Sequence, residues 1–143
     1  MKKFVIALLA LLITTTIVFA VTPKKKEKPS DYAIGIKYEL ALKSKKPSVV
    51  LFYTDWCTFC RRFMPTYEEL SKIYKDKFNF VMVNAEKNPR LADEYYIGGY
   101  PSLFITDPKI DNRVFINNTL YGNKVLLKRE LDRYLRVHAK WKH

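Results

Sequence analysis

The chain has 143 residues, 48% hydrophobic and 15% aromatic, which excludes a disordered polypeptide and suits one domain with a core of its own. Its 26 Lys and Arg outnumber 14 Asp and Glu, for a formal net charge of +12. Such a surface favours acidic partners or anionic membrane faces, or simply keeps the protein soluble; no aromatic-interleaved basic motif accompanies it, so no nucleic-acid partner is expected.

Met1-Lys2-Lys3 followed by the apolar run Phe4 to Ala20 reads as a secretory signal over residues 1–20, with Val18 and Ala20 at the small-residue cleavage positions. The competing reading is a retained membrane anchor over residues 4–20. Thr14, Thr15 and Thr16 weaken such a span, and Lys24, Lys25, Lys26 and Lys28 beyond it argue against one held with Lys2 and Lys3 inside. On either reading the domain lies outside the cytoplasm, in the periplasm or cell envelope. Residues 21–29, lysine-rich with two prolines, read as a flexible linker, and residues 30–143 as the folded domain.

Ser30 is expected to cap a helix from Asp31 to Ser44 whose Ala33, Ile36, Leu40 and Ala41 share one face. Pro47 breaks that pattern. The unbroken apolar run Ser48 to Tyr53 then predicts a central strand covered on both sides, and Phe63, Tyr67, Leu70 and Tyr74 mark a helix reaching about Lys75. Phe78 to Val83 reads as a second strand, parallel to the first. Asn88 and Pro89 open a short helix with Leu91, Ala92 and Tyr95 on its buried side, ended by Gly98 and Gly99. Leu103–Thr106 and Val114–Ile116 are short strands joined by the turn-rich stretch 107–113, as in a hairpin. Asn123 caps a last helix to about His138, with Leu127, Leu131, Tyr134 and Leu135 on one side. The order predicts an α/β fold, a sheet flanked by helices on both faces. Asn117-Asn118-Thr119 matches a glycosylation acceptor, a pattern common by chance.

The only two cysteines, Cys57 and Cys60, stand where the first strand gives way to the second helix. A loop that short gains little from a structural disulfide, so the pair points to chemistry. Cys57 is expected at the exposed helix start, where free N–H groups and the positive end of the dipole stabilise a thiolate, and is the predicted nucleophile. Cys60, one turn later, is placed to resolve a mixed disulfide. Arg61 and Arg62 either raise the potential near Cys57 or point into solvent. A metal carrier is the reading from another class, but the only histidines, His138 and His143, lie at the far end and no third ligand is apparent. Arg61 directly after Cys60 excludes the c-type haem pattern. No metal or other cofactor is expected. A redox-inert binding module is the third reading.

The chain resembles the thioredoxin family over nearly all of one domain. Trp56 precedes the cysteines, Pro65 falls five residues after Cys60, and Asn84-Ala85-Glu86-Lys87-Asn88-Pro89, with Ala92, Tyr95, Ile97, Gly99, Pro101 and Ser102, follows the family pattern without a gap. The resemblance implies a thioredoxin fold, a mixed sheet of about four strands between helices. It implies a cis bond between Tyr100 and Pro101 facing the cysteines, with the Tyr100 backbone free to pair with an extended substrate. Trp56, Thr58, Phe59 and Pro101 become supporting residues, with Trp56 either shaping the groove or only bracing the loop. Leu51 stands where the family has a buried aspartate and Met82 where it has the partnering lysine, which leaves Asp55, Glu86 or water to take the proton from Cys60.

That substitution, with the lead-in Tyr53-Thr54-Asp55-Trp56, is similar to the exported domain of bacterial membrane reductases. The resemblance therefore implies a monomer acting on protein thiols or disulfides of the cell envelope, recharged by a membrane electron-transfer partner. Thr58-Phe59 leaves the direction of electron flow open. The absence of a histidine beside Cys60 favours a reductant, whereas Tyr100 before the proline is shared with disulfide isomerases.

Overall fold

Two apolar runs of strand length become neighbouring strands at the centre of the protein. The computed structural model describes residues 26–139. In it β1 (Ser48–Tyr53), buried at every position, lies between β2 (Asn79–Asn84) and β3 (Ser102–Asp107), and β4 (Asn112–Ile116) closes a four-stranded sheet of order β2-β1-β3-β4. β1 pairs parallel with β2, placing Leu51 opposite Met82, and antiparallel with β3, placing Leu51 opposite Leu103. β3 and β4 form the expected antiparallel hairpin.

A strand without a polar face must be covered on both sides, and its alternation decides which residues go where. Val49 and Leu51 pack with Phe63, Met64 and Tyr67 of α2 (Thr58–Ile73) and with Leu127 and Leu131 of α4 (Lys124–Ala139). On the opposite face Val50 and Phe52 pack with Ala41 of α1 (Tyr38–Leu42), Ala92 of α3 (Pro89–Glu94) and Tyr95. Each fully buried Leu or Phe side chain contributes about 1.5–3 kcal/mol of transfer free energy to this arrangement. The fold is the one the resemblance implies, a four-stranded mixed sheet between helices.

The N-terminal helix departs from expectation. In place of a helix from Asp31 to Ser44 there is a 3₁₀ turn at Pro29–Asp31, an extended stretch, and only then α1. Ala41 is buried as expected, but Ile34 replaces Ala33, Ile36 and Leu40 as the other core residue. The cause is Gly35. It sits at φ +76°, and a Cβ there would overlap the carbonyl oxygen of Phe80. The extended stretch runs along the open edge of β2, and Ile36 N–H donates to Phe80 O at 2.9 Å. That bond covers part of a sheet edge that a helix would leave bare. Ser30 is not the cap of a helix, because it lies inside the 3₁₀ turn, where its N–H donates to the carboxylate of Asp55 at 2.9 Å.

The α3 helix ends at Glu94, before the glycines, because Tyr96 takes a left-handed conformation at φ 53° and Ile97 N–H turns back to Ala92 O. Asn88 precedes Pro89 but makes no side-chain cap; its amide donates to Asn84 O at 2.9 Å. Asn123 does cap α4, its Oδ1 accepting from the N–H groups of Val125 and Leu126 at 3.0 and 3.2 Å. The signal or anchor over residues 1–20 lies outside the described residues. Of the linker, Lys26 to Pro29 are described, and Lys26 Nζ donates to Glu68 Oε1 on α2 at 2.6 Å.

Tyr67 ties the sheet to α2. Its ring is wholly buried, and its hydroxyl lies 2.8 Å from both Val49 O and Val81 O while accepting from Val81 N–H at 3.2 Å. Burial pushes its phenol pKa far up, so the hydroxyl stays a donor throughout the working pH range. Tyr67→Phe removes that donor and leaves strand carbonyls short of a partner, at a cost of about 1–3 kcal/mol. Urea denaturation should show a lower midpoint with an unchanged slope. An unchanged midpoint would mean that the hydroxyl contributes nothing net.

Candidate active site: a disulfide at the start of α2

β1 ends at Tyr53, and the turn that follows closes with Cys57 N–H on Thr54 O at 3.4 Å. Cys57 is the cap residue of α2, with its sulfur accepting from Cys60 N–H at 3.1 Å. The two cysteines are joined in a disulfide with Cα atoms 5.2 Å apart. Cys60 is fully buried, and Cys57 is 4% exposed, less open than the helix-start expectation. The reason is the packing around it. Tyr53, Tyr100 and Met82 close on the pair, and Cys57 lines a groove of about 480 Å³ whose walls include Trp56, Phe59, Gly99 and Tyr100.

Each expected supporting residue can be placed. Trp56 is 63% exposed, donates through Nε1 to Glu86 Oε1 at 3.1 Å, and meets the Tyr100 ring edge to face at 6.1 Å between centroids. It is therefore held as a wall of the groove. Thr58 is the first residue of α2 and lies on the rim, and Phe59 is 69% exposed. The Tyr100–Pro101 peptide bond is cis. Tyr100 lines the groove at Cys57, and both Tyr100 and Pro101 line a neighbouring groove of about 580 Å³ together with Phe59 and Tyr121.

The two arginines behave differently. Arg61 folds back, its Nε and Nη2 donating to Asp55 O at 3.1 and 2.9 Å, and so braces the turn before Cys57. The Arg62 guanidinium lies 5.8 Å from the centre of the Phe59 ring.

Behind Cys60 the surroundings are apolar. Leu51 is wholly buried, Met82 beside it packs on the cysteines, and the two are Cα partners in adjacent strands. The carboxylates considered as proton acceptors have other partners: Asp55 accepts from Ser30 N–H, and Glu86 from Trp56. Sequence reasoning missed Tyr53, which packs directly on the pair. Alternation along β1 places it with Leu51 on the α2 side, and that was the available signal. Burial, then the nearby Asp55 charge, pushes its phenol pKa up, against a smaller lowering by its hydrogen bond with Asn84. Among the described residues no group of three or more His, Cys, Asp or Glu could hold a metal ion.

The chain matches the thioredoxin family model over residues 34–120. It is 38% identical over 105 residues to the chloroplastic thioredoxin-like protein HCF164 of Arabidopsis thaliana, a match that covers 72% of this chain but 38% of that relative. It is 34% identical over 108 residues to a thioredoxin of Buchnera aphidicola, covering 74% of this chain and 91% of the relative. Among solved structures, the J-Trx1 fragment of ERdj5 superposes with a TM-score of 0.61 at 25% identity, over 69% of this chain and 48% of that one. A disulfide capping a helix beside Trp56, a mixed four-stranded sheet, the family model and a thioredoxin matched along nearly its whole length all agree: this chain belongs to the thioredoxin family and is a thioredoxin-like thiol–disulfide oxidoreductase.

Proposed function

We propose that the protein is exported and works as a reductant of protein disulfides in the cell envelope, as a monomer recharged by a membrane electron-transfer partner. The observation that carries the reading is the Cys57–Cys60 disulfide at the start of α2, beside an open groove. In the reduced protein Cys57 is the nucleophile, because it caps the helix and already receives the Cys60 N–H, a donor that stabilises a thiolate. The thiolate attacks one sulfur of a substrate disulfide; that S–S bond breaks and the leaving sulfur takes up a proton. Cys60 then gives up its proton, attacks the Cys57 sulfur of the mixed disulfide, and releases the second substrate thiol. Two electrons pass from the protein to the substrate and the Cys57–Cys60 disulfide remains. Since the near carboxylates are occupied and Cys60 is buried in apolar surroundings, water entering along the groove takes its proton. The half-buried segment at Tyr100 and Pro101, which lines the neighbouring groove, receives the substrate backbone in extended form.

Export rests on the charged and apolar pattern of residues 1–20. Among the described residues no helix is long and apolar enough to cross a membrane. The reducing direction rests on Arg61 standing directly after Cys60, where a histidine would favour a strong oxidant; Thr58-Phe59 by itself leaves the direction open. Equilibration with dithiothreitol or glutathione buffers, followed by thiol trapping, measures the direction. A potential near that of thioredoxin, roughly −270 mV, is expected; one near roughly −120 mV would make the protein a disulfide-forming oxidant and overturn the proposal.

A further inference from the structure

The groove beside the disulfide carries a cation that no acidic group among the described residues neutralises. Among the described residues the Arg62 side chain makes no hydrogen bond and no ion pair, in contrast to Arg61, which is committed to Asp55 O. Its guanidinium leans on the exposed ring of Phe59 at 5.8 Å and lines the 580 Å³ groove with Phe59, Tyr100 and Pro101. Among the described residues no carboxylate lines that groove. Glu69, two turns further along α2, is bound by Lys124 Nζ at 2.8 Å. A guanidinium resting on an aromatic face keeps its outer N–H fork available, and it is weakly hydrated, so it pairs with a carboxylate at little desolvation cost. Phe59 and Tyr100 also wall the groove at Cys57. The two grooves thus adjoin through Phe59 and Tyr100, which puts Arg62 within reach of a polypeptide whose sulfur sits at Cys57.

We propose that Arg62 is a specificity-determining residue, selecting polypeptides that carry Asp or Glu a few residues from the reacting cysteine. The inference rests on the reducing role proposed above and names the substrate class of that site. An exposed charge pair of this kind gives roughly a threefold preference, and reversing the charge should swing the ratio by about tenfold.

The test uses reduced protein and three disulfide-linked peptides that differ only in Glu, Gln or Lys two positions from the cysteine. Rates come from acid-quenched chromatography, each divided by the rate with dithiothreitol to remove intrinsic differences in reactivity. The native protein should prefer Glu over Gln over Lys. Arg62→Gln should flatten the order and Arg62→Glu should invert it, while Lys72→Glu, the same charge change on an exposed position further along α2, should leave it standing. The inference is overturned if Arg62→Glu keeps the native order or if Lys72→Glu shifts it as much, since net charge would then be responsible. Brisk reduction of all three peptides with equal ratios removes the role of Arg62 alone, whereas failure to reduce any of them overturns the reducing role and the preference with it.

Discussion

Cys57→Ser should reduce exchange with any peptide disulfide to the uncatalysed background, a loss on the order of 10³-fold or more, while Cys60→Ser should retain the first step and lose the second. The asymmetry follows from position. Cys57 lines the groove and caps α2, whereas Cys60 lies behind it with no exposed surface. In Cys60→Ser an incoming disulfide is attacked once and the mixed disulfide persists, visible by mass and released by dithiothreitol. Trapping in Cys57→Ser and not in Cys60→Ser would reverse the two roles. A module that only binds its partner would show full binding in Cys57→Ser and no trapping in either variant, which is how that reading is separated from exchange.

The parts of this site legible in the sequence were those set by short-range chemistry. Pro47 and the turn after Tyr53 bounded β1, and the residues between were apolar without alternation, so its limits coincide with the expectation. Asn123 was legible as a cap because its side chain acts two and three residues on. The register that brings Leu51 beside Met82 was implied by the family pattern and is a direct strand pairing. What stayed hidden depends on contacts far along the chain. Gly35 inside a helix-like pattern was the visible warning, but only the approach of the β2 edge shows why the chain stays extended there. The bond from Trp56 to Glu86 spans 30 positions, and the one from Ser30 to Asp55 spans 25. Both turn residues considered for proton transfer into residues that hold the site in place.

Leu51→Asp should be among the most destabilising single changes available, because it puts a carboxylate at a position with no exposed surface and Leu103 and Met82 as strand partners. An ionised, unpaired carboxylate there costs about 3–5 kcal/mol, which is a large fraction of the stability of a domain this size. The pH dependence fixes the cause. Burial raises the folded-state pKa above the unfolded value of about 3.9, so between those two pKa values the native state holds the extra proton. Stability of the variant relative to the native protein should then fall as pH rises from about 4, by up to about 1.4 kcal/mol per unit, and level off above the folded pKa. Below about pH 4 the deficit should shrink to that of a neutral polar group with lost packing. Met82→Lys added to Leu51→Asp should recover part of the loss at neutral pH, with a coupling of about 1–3 kcal/mol in a double-mutant cycle, because the two positions are adjacent in register. A deficit independent of pH, or a cycle that sums to zero, would show that the new carboxylate reaches water, and that the space behind Cys60 is less closed than its burial indicates.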